Sequence, residues 1–144
     1  MTKKQETQPA VEVFSLSSMN EVEDCNHAEE MVYIDPRTDK ETPFVLMVLG
    51  AQADSIQSDV FKQIDSDARR NFKAERSGKV AEPRKISDKM SEGIASIANR
   101  VVGWSGTDDI YSRDLCLKIM TNNPSLREQV QAFSEDLGNF GNSK

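Results

Sequence analysis

The sequence predicts a mainly α protein with a small β-hairpin, an α+β fold in which a bundle of about four helices follows a flexible N-terminal arm. Three observations carry that expectation. Apolar residues recur at helical spacing over four separate stretches after Ala53. Two strand-like runs sit close together between Met31 and Leu49, and the first 30 residues are polar, acidic and without a clear period. At 144 residues the chain fits one domain with a modest core.

Residues 1–30 form the expected arm. Val11, Val13 and Leu16 alternate with Glu12 and Ser15, which allows one short strand, although Phe14 breaks the alternation. From Ser17 to Glu30 the pattern supports a mobile or loosely docked segment.

Residues 31–140 form the expected single α-rich domain, beginning with a hairpin over 31–50. Met31-Val32-Tyr33-Ile34 and Phe44-Val45-Leu46-Met47-Val48-Leu49 are its strands. Pro36 and Pro43 cannot continue a ladder, so the polar stretch between the runs reads as a long loop, and Gly50 ends the second strand.

Asp54 then suits an N-cap, with Gln57 placed as in a capping box. Ile56, Val60, Ile64, Ala68 and Phe72 follow at every fourth position, predicting a helix over about 55–74. Arg76 to Pro83 reads as a linker. A stripe of Ile86, Met90, Ile94, Ile97, Val101 and Trp104 predicts a helix over about 85–103, with Gly93 and Gly103 each costing about 1 kcal/mol relative to Ala.

Ser112 caps a shorter expected helix over 113–121 that carries Leu115, Cys116, Ile119 and Met120. Pro124 opens the last one, over 124–137, where Leu126, Val130, Phe133, Leu137 and Phe140 share a face. Gly138 is placed to stop it in a left-handed conformation, and 141–144 read as a flexible tail.

Charge and motif content argue against most chemistries. A net charge of −6 disfavours a phosphate-binding surface, and the basic pairs Arg69-Arg70 and Arg84-Lys85 lack interleaved aromatics, so no nucleic-acid partner is expected. No apolar run is long enough for a bilayer and no secretory leader is legible, so the expected location is cytoplasmic, without a membrane partner. There is no phosphate-cradling Gly-rich loop, nucleophile elbow or metalloprotease helix.

The single histidine, His27, stands in Asp24-Cys25-Asn26-His27 ahead of Glu29-Glu30, a set with metal-ligand chemistry but no second Cys/His pair; it reads as a solvated arm. Asp108-Asp109 and the Asp65/Asp67 pair read as solvated acids. Cys116, within an apolar helical pattern, reads as a small core residue. The expectation is a protein with no catalytic residue, no cofactor and no metal.

Trp104 has two readings. It is an anchor closing the long helix, or a hot spot at a partner interface, since Trp combines large area with a polar tip. Phe133 and Phe140 face the same choice.

The ordered set Val101-Val102-Gly103-Trp104-Ser105-Gly106, Tyr111-Ser112, Pro124-Ser125-Leu126-Arg127-Glu128-Gln129-Val130-Gln131-Ala132-Phe133 and Asn139-Phe140 resembles the tail assembly chaperones of long-tailed bacteriophages. Asp35-Pro36 with Thr38, and Gly50 with Asp54-Ser55, look similar to their hairpin loop and first helix start; the likeness covers roughly residues 31–140. The resemblance implies a non-enzymatic protein that binds and solubilises the tape measure protein. It implies help in recruiting tail tube protein, action in the host cytoplasm, and absence from the mature virion. Self-association is left open.

Contact with the partner is expected at Trp104, Phe133, Leu137 and Phe140, chosen for apolar size near helix ends. The alternative is a structural virion component, either a minor tail or a head–tail connector protein. A small enzyme or regulator ranks third.

Overall fold

The computed structural model describes residues 15–78 and 86–141. Among these the fold is mixed α+β, with five α-helices and a three-stranded antiparallel sheet. The helices are α1 (Glu21–Cys25), α2 (Asp54–Arg76), α3 (Ile86–Ala98), α4 (Arg113–Asn122) and α5 (Pro124–Glu135). The strands are β1 (Glu29–Asp35), β2 (Lys40–Val48) and β3 (Val101–Ser105), in spatial order β1-β2-β3. Single 3-10 turns lie at Leu16–Ser18 and Leu137–Asn139.

The helices do not stand as a bundle apart from the hairpin. α3, α4 and α5 pack on one another and on the sheet face that carries Met31, Leu46, Val48 and Val101. Ala98, Cys116, Met120, Leu126 and Val130 fill the layer between. A second, smaller core of Cys25, Ala53, Ile56 and Phe140 closes one end, and Phe133 packs against both.

The hairpin is present, with a correction at its proline. Pro43 lies inside β2, where the pairing steps from Val32↔Val45 to Ile34↔Glu41. At such an irregularity the ladder asks for fewer amides, so a residue without one is tolerated. The Thr42 hydroxyl fills in by donating to the Tyr33 carbonyl at 2.8 Å. The loop therefore shrinks to Pro36–Asp39, turned by Asp39 at φ 57° and by the Asp35 carboxylate accepting from the Arg37 amide.

The expected helix over 85–103 is two elements. Its apolar stripe holds to Ala98, after which Asn99 and Arg100 turn the chain and Val101–Ser105 becomes β3. β3 pairs with β2 through Val45↔Ser105, Leu46↔Trp104 and Met47↔Gly103. Val101 and Trp104 keep three-residue spacing in either conformation, so periodicity cannot separate them. The Val-Val-Gly run is poor in helix propensity, and the open edge of β2 rewards a strand there.

Residues 20–30, expected as a loosely docked arm, are structured. Asn20 caps α1 by accepting from the Glu23 amide, Cys25 is fully buried, and Glu29-Glu30 open β1. A five-residue helix is too short to show a period in sequence. Val11 to Phe14 of the expected short strand lie outside the described residues, as do Lys79–Lys85 and the tail from Asn142.

The long helix α2 starts by a different device from the one expected. Asp54 is its first residue, and Asn26 supplies the cap: its Oδ1 accepts from the Asp54 amide at 2.8 Å and its Nδ2 donates to the Asp54 carboxylate at 3.1 Å. Gln57 reaches back to the Ala51 carbonyl instead of completing a capping box. At the other end of the chain, α5 stops at Glu135, and Gly138 has no positive φ. The Asp136 carboxylate accepts from the Gly138 amide and sets up a 3-10 turn.

No described helix is long and apolar enough to cross a membrane.

Candidate functional site

The largest aromatic assembly grows from the sheet. Phe44 lies two residues from Leu46 on β2, hence on the same face, and Leu46 pairs with Trp104. Tyr33, Phe44, Trp104 and Tyr111 form a chain of edge-to-face contacts, with centroids 6.2, 5.5 and 4.9 Å apart in turn. Such pairs add to plain area burial because ring edges and faces carry opposite partial charge.

Two hydrogen bonds lock the Trp104 end. Its Nε1 donates to the Asp109 carbonyl at 2.8 Å, and the Tyr111 hydroxyl donates to the Val101 carbonyl at 2.9 Å. Gly106 makes the turn between them at φ 83°, pressed so closely on the Pro43 carbonyl that a Cβ would lie 1.8 Å from that oxygen. The Asp109 amide donates to the Thr107 hydroxyl, which donates in turn to the Asp109 carboxylate.

An open cleft of about 400 Å³ results between the sheet and α4. Phe44 and Trp104 form one wall, Leu115 and Ile119 of α4 with Leu126 of α5 form the other, and Thr42, Thr107, Asp109 and Asn123 are the polar part of the lining. Trp104 is half-buried, and part of its indole lines the open cleft. The lining carries one carboxylate and one phenol but no histidine, cysteine, lysine or arginine. Its chemistry is that of a receptor for an apolar side chain with polar groups at the edge.

Of the four expected contact residues, Trp104 is in this cleft, on a strand instead of a helix end. Phe140 is only 5% exposed and packs edge-to-face on Phe133 at 5.7 Å in the second core. Phe140 serves the interior and Phe133 is half-buried beside it, because α5 ends two residues early and the 3-10 turn folds Phe140 back. Leu137, in that turn, is exposed. Sequence reasoning missed Phe44, Leu115 and Ile119 as lining residues. The alternation of Phe44, Leu46 and Val48 is the signal that places Phe44 on the core-facing side.

The acidic and metal-ligand candidates disperse. Cys25 points into the core, whereas His27 lies outside and meets the Glu23 carboxylate at 3.0 Å. Asp65 pairs with Arg69 at 2.9 Å. Among the described residues no three His, Cys, Asp or Glu side chains converge as a metal site would need. Comparison with protein-family models, curated proteins and solved structures finds no match for this chain.

Beneath the cleft, burial pushes the Cys116 thiol up to about 11, against the opposing pull of Arg113. Burial likewise raises the Tyr111 phenol, with Cys116 adding to the shift and Arg113 opposing it. Neither group is poised for acid–base or nucleophilic work near neutral pH.

Proposed function

We propose that this protein is a non-enzymatic assembly chaperone of the phage-tail type, whose cleft beside Trp104 receives apolar side chains of the tape measure protein. The observation that carries the reading is the half-buried indole facing Leu115 and Ile119 across an open apolar cleft, in a chain of net charge −6. A tape measure protein, as a long amphipathic helical chain, aggregates through its apolar faces unless they are covered. Docking one helical turn at a time into such a cleft covers them, and the acidic surface keeps the complexes apart by like-charge repulsion.

The ordered resemblance from Val101 to Phe140 supports the same reading and extends it to recruitment of tail tube protein. The protein then acts in the host cytoplasm and leaves before the virion matures. The contact set narrows to Trp104 with Leu115 and Ile119, and Leu137 offers a separate exposed apolar point.

The test is co-expression with a phage tape measure protein. Wild type is expected to keep that protein in the soluble fraction and to co-purify with it. Ile119→Glu is expected to abolish co-purification while the far-ultraviolet circular dichroism stays folded. Unchanged co-purification by a folded Ile119→Glu and by Trp104→Ala overturns the cleft. Stoichiometric copies in purified particles overturn the chaperone role and favour a structural virion component.

A further inference from the structure

The fold makes little use of its longest element. α2 has 23 residues, about 34 Å of helix, yet among them only Ile56 is buried. Phe61, Ile64 and Phe72 are 65%, 59% and 60% exposed. At the helical turn angle, Ile64, Ala68, Phe61 and Phe72 fall within an arc of about 80°. α3 lies to one side of that arc: Asn99 donates to Asp59, and Val60 and Ile64 border the gap beside Gly93. The other side is edged by Asp65, Arg69 and Arg76.

A second observation concerns the charge beside this stripe. Charge is segregated along α2. Asp54, Asp59, Asp65 and Asp67 precede Ala68 with only Lys62 against them, and Arg69, Arg70, Lys73 and Arg76 follow it with only Glu75. Preference for acids at a helix start and bases at its end explains only the terminal turns, because the dipole effect fades within one turn. Asp65, Asp67, Arg69 and Arg70 are in the middle, beyond that effect, and the run of acids followed by bases is complementary to itself when reversed.

We propose that α2 pairs antiparallel with α2 of a second copy of this chain, about a two-fold axis near Ser66. The arrangement is self-complementary, as a two-fold interface must be. It sets Phe61 against Phe72 of the second copy and Ile64 against Ala68. Along the charged flank it brings Asp65 beside Arg69, and Asp54 toward Arg76. Parallel pairing would instead lay acid on acid and base on base, so charge selects the orientation. The Asp65–Arg69 pair within one helix is exposed on both sides, so exchanging it for the same pair between copies costs little. This interface is separate from the cleft beside Trp104 and does not depend on its function.

Sedimentation equilibrium of the full chain tests the pairing. A reversible two-copy mass is expected, with the dimer weakening as salt rises. Ile64→Asp, at an exposed position, is expected to give single chains with unchanged circular dichroism. Asp65→Arg alone and Arg69→Glu alone are each expected to weaken self-association at least tenfold. An equimolar mixture of those two variants is expected to restore a mixed dimer, because each new charge meets its opposite across the axis. A single-chain mass at every concentration overturns the proposal. So does a dimer indifferent to all three variants, or a chain that pairs only once a foreign amphipathic helix is added.

Discussion

The Gln129 carboxamide grips both backbone groups of Ile34: its Oε1 accepts from the Ile34 amide at 3.0 Å and its Nε2 donates to the Ile34 carbonyl at 2.8 Å. Ile34 lies at the irregular end of the pairing between β1 and β2, so a side chain from α5 occupies hydrogen-bonding positions that a fourth strand would take. Gln129→Leu is expected to cost about 1 kcal/mol per lost bond at most. It should also speed amide exchange at Ile34 and promote edge-to-edge association. Unaltered exchange at Ile34 would show that the grip contributes nothing to the edge.

Asn26 likewise acts on a backbone amide outside its own element. It caps α2 from 28 positions upstream. Asn26→Ala is expected to lower stability by about 1 kcal/mol, the ordinary value of a lost N-cap. Chemical denaturation reads the loss, and Asn26→Asp should recover part of it by accepting from the Asp54 amide, at the cost of placing a carboxylate beside Asp54. An Asn26→Ala protein of wild-type stability would assign the start of α2 to packing of Ala53 and Ile56 alone.

Two glycines should respond in opposite directions to the same substitution. Gly106→Ala places a Cβ against the Pro43 carbonyl at positive φ, so both strands must move, and a large fall in melting temperature with loss of the Trp104 fluorescence environment is expected. Gly93, on α3, has nothing within 4 Å of an added Cβ. Gly93→Ala is therefore expected to stabilise by about 1 kcal/mol through helix propensity. Equal effects at the two sites would refute the placement of Gly106.

Cys116 predicts an alkaline weakness. Its thiol ionises near 9 when unfolded and near 11 in the fold, where burial favours the neutral form. A group raised in this way stabilises fully below 9 and loses its contribution as pH climbs toward 11. Between those values stability should fall by on the order of 1 kcal/mol per pH unit from this residue. Comparison of the pH slope of Cys116→Ala with that of wild type isolates the effect from the methyl-for-thiol packing change. Parallel slopes above pH 9 would contradict it.

How much was legible follows from the range of each signal. The starts of α4 and α5 were readable because their determinants are local: the Ser112 hydroxyl accepts from the Leu115 amide, and Pro124 needs no donor at the first turn. The hairpin strands were readable from their apolar runs. β3 was not, because Val101 and Trp104 satisfy helical spacing while the hydrogen bonds that make them a strand belong to β2, over 50 residues away. The burial of Phe140 was not legible for a related reason: its neighbours Cys25, Ala53 and Ile56 come from two other segments, α1 and the start of α2.

The sequence by itself determined the class of the fold, the apolar stripes and the helix starts with caps nearby in the chain, because periodicity and capping act over a few residues. Only the tertiary structure decided the third strand, the end of α5, the distant cap on α2 and the cleft that gathers Phe44, Trp104, Leu115 and Ile119. Those outcomes depend on which open edge or uncovered ring comes within reach once the chain has folded, and that information is shared among segments far apart.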